Sequence, residues 1–126
     1  MAEIKSLEQE RARLAWEFVH RDDVQSNSKD YRAAIRKLPA MILTSGLAQT
    51  VTFYLSKGKE KPQFEIIKNL AEALKNLTEI AIDPENPQSL ITKIKEADHE
   101  TYILLSREAL KYATWLRRFA EAELEE

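Results

Sequence analysis

The chain has no cysteine. That excludes a disulfide frame and a thiolate metal site, and it fits a cytoplasmic setting. Glycine is scarce, with two residues, and there are four prolines. β-Rich folds need more turn residues than that. No Gly-rich phosphate loop occurs, nor a Gly-Lys-Ser or Gly-Lys-Thr step. No unbroken apolar stretch reaches the roughly 18 residues that mark a membrane helix, and mean hydropathy is −0.46. The start, Met1-Ala2-Glu3-Ile4-Lys5, is charged and then amphipathic, unlike a signal peptide. Neither charge sign dominates. Net charge is −2, so any nucleic-acid contact must come from a local basic face.

What is present points to helices. The 126 residues suit one domain with a real core. Leu, Ala, Glu and Lys are abundant, and the expected fold is an all-α, single-domain helical bundle of five to six helices. The most unusual segment is residues 38–56, which carry no charge in a chain that is 32% Asp, Glu, Lys and Arg. Charged side chains are rarely buried unless paired, so this run is expected to be held away from water over much of its circumference. Thr44, Ser45, Gln49, Thr50, Thr52 and Ser56 are polar, and Pro39 and Gly46 interrupt the run, which argues against a membrane span.

Apolar spacing places the elements. A first helix is expected over 3–20, with Ile4, Leu7, Leu14, Ala15, Phe18 and Val19 inward and Arg11 and Arg13 elsewhere. Residues 22–28 read as a polar loop, with Ser28 able to cap the next helix. That second helix, 29–37, ends where Pro39 breaks the ladder, and a third runs over 39–57. Its wide arc of Met41, Leu43, Leu47, Ala48, Val51, Tyr54 and Leu55 faces the core. Ser45, Gln49, Thr52 and Ser56 form a neutral stripe opposite. Gly58 and Pro62 are a natural stop and start. Helices over 62–80, 87–97 and 98–124 complete the chain. On the last, Tyr102, Leu105, Ala109, Tyr112, Ala113, Leu116, Phe119 and Ala120 make the core side. Arg107, Lys111 and Arg118 align opposite, bordered by Leu104 and Trp115.

Catalytic signals are sparse. Both histidines sit in Glu-x-x-His spacings, Glu17 to His20 and Glu96 to His99. Paired motifs of this kind build di-iron bundles, but those sites lie mid-helix and buried, whereas both of these sit at helix ends. Arg13 and His20 have the spacing found in a superfamily of small helical ribonucleases, where Arg would stabilise phosphate charge and His would move a proton. Leu14 stands where those enzymes carry a polar residue. No Ser-His-Asp arrangement is evident, and no metal or cofactor is expected.

Two blocks in order carry a family resemblance. The first is Leu38-Pro39-Ala40-Met41-Ile42, Gly46-Leu47-Ala48-Gln49-Thr50 and Phe53-Tyr54-Leu55-Ser56-Lys57. The second is Tyr102, Ala109-Leu110-Lys111-Tyr112 and Trp115-Leu116-Arg117-Arg118-Phe119-Ala120-Glu121-Ala122. Together they resemble the small all-helical subunit of type III-B CRISPR (Cmr) effector complexes. The likeness spans most of the chain and is loosest over 79–98.

The resemblance implies a non-catalytic structural subunit in antiviral defence. Such subunits stack head to tail into a minor filament that lines the groove where target RNA pairs with guide RNA. The implied partners are other subunits of the effector, the guide/target RNA duplex and copies of itself, with no membrane and no cofactor. Carried onto this chain, Arg32, Arg36, Lys37, Lys57, Lys59 and Lys61 are candidate RNA-binding residues. Arg107, Lys111, Trp115, Arg117 and Arg118 are candidates for RNA or subunit contact. The alternatives are a small helical ribonuclease using Arg13 and His20, and a helical adaptor that binds only protein.

Overall fold

The computed structural model describes residues 6–126. The expected helical turn at Glu3 and the inward place of Ile4 lie outside the described residues. The elements are α1 (Leu7–Val19), α2 (Asp22–Gln25), α3 (Ser28–Ser45), α4 (Leu47–Leu55), α5 (Pro62–Thr78), α6 (Gln88–Glu96) and α7 (His99–Glu123). Among the described residues no strand occurs, and no helix is long and apolar enough to cross a membrane. The all-α expectation holds, with seven helices among the described residues rather than five to six. The extra one is α2, a single turn inside the expected loop, which forms because Val24 is buried there.

The local chemistry of the ends explains most boundaries. Ser6 and Gln9 form a reciprocal capping box at the start of α1. Pro62 occupies the first turn of α5, where its missing N–H is no loss. Asp98 accepts from the Thr101 N–H at 2.8 Å and caps α7. Ser28 does not cap α3. It is the first helical residue, and its Oγ accepts from the Glu125 N–H at 3.4 Å.

The charge-free run is divided differently from the sequence reading. α3 passes straight through Pro39, and the break falls at Gly46. The proline costs the bond to the Ile35 carbonyl, but its ring is buried in the core side of the helix. Gly46 takes φ 87° and ψ 161°, a region essentially reserved for glycine. Its N–H donates to the Ile42 carbonyl at 3.0 Å and its carbonyl accepts from Thr50 at 3.2 Å. One residue thus closes α3 and opens α4.

α7 is the axis of the bundle: it packs chiefly on α3, then on α1 and α5. Leu105, Ala109, Tyr112, Ala113, Leu116 and Ala120 from α7 are buried there with Phe18, Ile35, Leu38, Leu70 and Leu74. α4 lies on the far side against α3, α5 and α6. Its Tyr54 donates to the Ala34 carbonyl at 2.6 Å, and burial pushes its phenol up to about 12. The expected arc of α3 and α4 is correct for Leu47, Val51 and Tyr54 and wrong for Leu43, which is 72% exposed. Leu7, expected inward, is also exposed. Ser45, Gln49, Thr52 and Ser56 face water rather than a neighbouring helix.

Candidate functional site

The eleven side chains singled out from sequence fall into separate places. Lys37 on α3, Lys57 just past the end of α4, and Lys61 at the start of α5 converge on one groove of about 340 Å³. Asp30, Met41, Phe53, Tyr54 and Gln63 also line it. The Lys57 ammonium lies 4.4 Å from the centre of the Phe53 ring, an i, i+4 pairing on a helical turn. Lys59, in the same turn, does not line the groove.

Arg32 and Arg36 are elsewhere. With Lys29 they border a hollow of about 230 Å³ beside Glu125 and Glu126. Arg32 Nη1 is 3.7 Å from Glu126, while its buried Nε has no hydrogen-bond partner among the described residues. The expected six-residue basic set is therefore a set of three lysines and a pair of arginines partly screened by nearby carboxylates, with Lys59 in neither.

The α7 set holds together better. Lys111, Trp115 and Arg118 line a hollow of about 590 Å³ with Glu8, Leu110 and Thr114. Trp115 donates from Nε1 to Glu8 Oε1 at 3.1 Å, which fixes the indole against α1. Arg117 donates to Glu121 at 2.7 Å, and that bond holds the Glu121 carboxyl below its ordinary range. Arg107 is exposed one turn before Lys111 and lies outside the hollow. Trp115 continues into an aromatic row across two helices. Phe119 is 5.4 Å from Trp115 and 5.2 Å from Trp16, and Trp16 is 4.0 Å from the His20 ring.

The groups a ribonuclease would use are both engaged. Arg13 is bonded to Glu10 and Glu17, each at 2.9 Å. His20 Nδ1 lies 2.9 Å from the Trp16 carbonyl and Nε2 lies 2.9 Å from Glu123. His99 is exposed at the first turn of α7. Among the described residues no three of His, Asp and Glu are grouped to hold a metal ion.

Sequence reading missed the most buried polar feature. Arg11, expected outside the core side, is 6% exposed and makes a two-pronged ion pair with Glu108, itself 5% exposed. It also missed Glu8 as the anchor of Trp115, and Phe53 as the aromatic wall beside Lys57. The Phe53–Lys57 spacing was the available signal for the last. No local pattern announces the first.

Three comparisons bear on this arrangement. The sequence pattern of the CRISPR-associated protein family Cas_Cmr5 matches residues 7–123. The Cmr subunit Cmr5 of the Thermus thermophilus CRISPR system is 32% identical over 117 residues, covering 91% of this chain and 93% of that one. The corresponding Cmr5 subunit of Thermotoga maritima is 29% identical over 125 residues, covering 96% and 87%. The crystal structure of a Cmr5 family protein from Thermus thermophilus superposes with a TM-score of 0.80 at 28% identity, over 96% of this chain and all of that one.

Proposed function

This chain belongs to the CRISPR-associated Cmr5 family, and from that premise we propose that it is a structural subunit of a cytoplasmic type III-B CRISPR effector complex. It acts as one helical domain and carries no catalysis of its own. Copies stack head to tail beside the subunits that hold the guide RNA, and together they line the groove where target RNA pairs with the guide. The observation that carries this reading is the match to the family along nearly the whole chain.

The surface chemistry supports it. Head-to-tail stacking is heterologous and needs two unlike faces on each copy. This chain has a charge-free face on α3 and α4 around Leu43, Gln49 and Thr52, and a basic, aromatic face on α7 around Lys111, Trp115 and Arg118. Backbone contact to RNA needs Lys and Arg without base readout, and target sequence is read by pairing with the guide. A net charge of −2 suits a subunit that shares the groove with partners.

The test is affinity capture of the tagged chain from its native host, with sequencing of bound RNA and identification of bound subunits. The expected result is recovery of guide RNA together with the other effector subunits. Recovery of the chain without either would overturn the proposal. His20→Ala is expected to leave cleavage by the captured complex unchanged.

A further inference from the structure

We propose that the groove between α3, α4 and the start of α5 binds one nucleotide of single-stranded RNA, with its phosphate held by Lys37, Lys57 and Lys61 and its base stacked on Phe53. That the ligand is RNA rests on the RNA-lining role proposed above, the strand being target RNA not paired with the guide at this point, and the choice of place rests on geometry. Three separate elements bring lysines to the lining of one hollow of about 340 Å³, which holds a single carboxylate residue, Asp30. Among the described residues none of the three lysines has an ion-pair partner. Elsewhere Arg32 has Glu126 and Arg117 has Glu121, and the hollow at Lys111 and Arg118 gathers two cations rather than three. α5 begins at the groove with Pro62 and no side chain capping its first turn, so the positive end of its dipole adds to the field of the lysines.

Phe53 is what selects an unpaired strand. It is 46% exposed, so its ring is accessible to a base. Bases in a duplex are stacked on one another, and a single strand offers a free face to an aromatic side chain. The groove has the volume of a small-ligand site, which suits one nucleotide and excludes a helix. Lys57 already lies over the ring. That contact is weak at an exposed site, so the ammonium moves to the phosphate as a base takes its place.

The full chain is titrated by fluorescence anisotropy with a labelled short oligouridylate and with a duplex of equal length, across a range of salt. Circular dichroism verifies that each variant is folded. The single strand is expected to bind more tightly than the duplex. Phe53→Ala should weaken it about 10-fold, and Phe53→Trp should retain it. Replacing Lys37, Lys57 and Lys61 together by Gln should lower the slope of log affinity against log salt by about 0.7, the contribution of the one phosphate they hold. Competition by inorganic phosphate equal to that by the oligonucleotide would mean a simple anion site and would overturn the assignment. So would an unchanged Phe53→Ala variant, an unchanged salt slope, or no binding of the single strand. If binding instead moves with Lys111→Gln and Arg118→Gln, the groove assignment falls and the RNA-lining role stands. Only the capture experiment, returning neither RNA nor partner subunits, removes that role.

Discussion

Arg11 and Glu108 are 97 residues apart in the chain and meet in the interior between α1 and α7. Two prongs of the guanidinium reach the two carboxylate oxygens, and Glu8 takes a third contact at 3.2 Å. Such a pair is costly to break, because the surviving buried guanidinium is left with only the exposed Glu8 beside it. Glu108→Ala is expected to lose about 3–5 kcal/mol in urea denaturation, and a loss below about 1 kcal/mol would refute the role given to the pair. The double change Arg11→Met with Glu108→Leu is expected to recover most of that loss. Gly46 is the other residue with a specific demand on the backbone. An added Cβ would meet only the Tyr102 hydroxyl at an ordinary 3.6 Å, so the cost of Gly46→Ala is conformational, about 1–3 kcal/mol by the same measurement. Neither residue is legible from local pattern. An arginine on a helix reads as solvated unless its distant partner is known. The pull of Pro39 as a breaker hides that Gly46, not Pro39, has the backbone freedom the break requires.

α1 and α7 are pinned at one end by His20. Its two ring nitrogens face two acceptor oxygens, the Trp16 carbonyl and Glu123, so the doubly protonated ring donates to both. The Trp16 carbonyl first, and then Glu123, raise the His20 pKa above its ordinary 6.5. The stabilisation is therefore complete below about pH 6.5 and is lost as pH rises through the higher folded value. Nuclear magnetic resonance titration is expected to place the His20 transition above the unfolded-state value, and Glu123→Gln to bring it down. The melting-temperature gap between wild type and Glu123→Gln should narrow from pH 6 to pH 8. A gap independent of pH would refute the pin. At this scale the sequence is highly legible on α7, where apolar spacing recovers Leu105, Ala109, Tyr112, Ala113, Leu116 and Ala120 as buried. It fails where one turn suffices, as in α2, since a single buried Val24 leaves no period to read.

Across the whole molecule, charge is organised by face rather than by total. Reversing Arg107, Lys111 and Arg118 to Glu is expected to weaken RNA association or complex assembly by at least 10-fold. Reversing Lys93 and Lys95 on α6 is expected to change either by less than 2-fold. Both are read by co-purification of RNA and subunits at fixed salt, since the affinity that each phosphate neutralisation supplies depends on salt. Equal effects from the two sets would refute the assignment of the α7 face. The fold class and the α7 face are legible from spacing. The splitting of Arg32 and Arg36 from the lysine groove is not, because it depends on which way neighbouring turns of α3 point. The charge-free run reads as wrapped but is in fact half open, since a run without charges reports only that no charge is needed there.

The helix at the centre of the bundle is also synthesised after all the helices that pack on it. α1, α3 and α5 leave the ribosome with their apolar faces uncovered, because the surface that covers them is α7. Until α7 is present, those uncovered apolar faces leave the nascent chain exposed to aggregation. Production of the native subunit is therefore limited by the emergence of α7 rather than by that of its first helices.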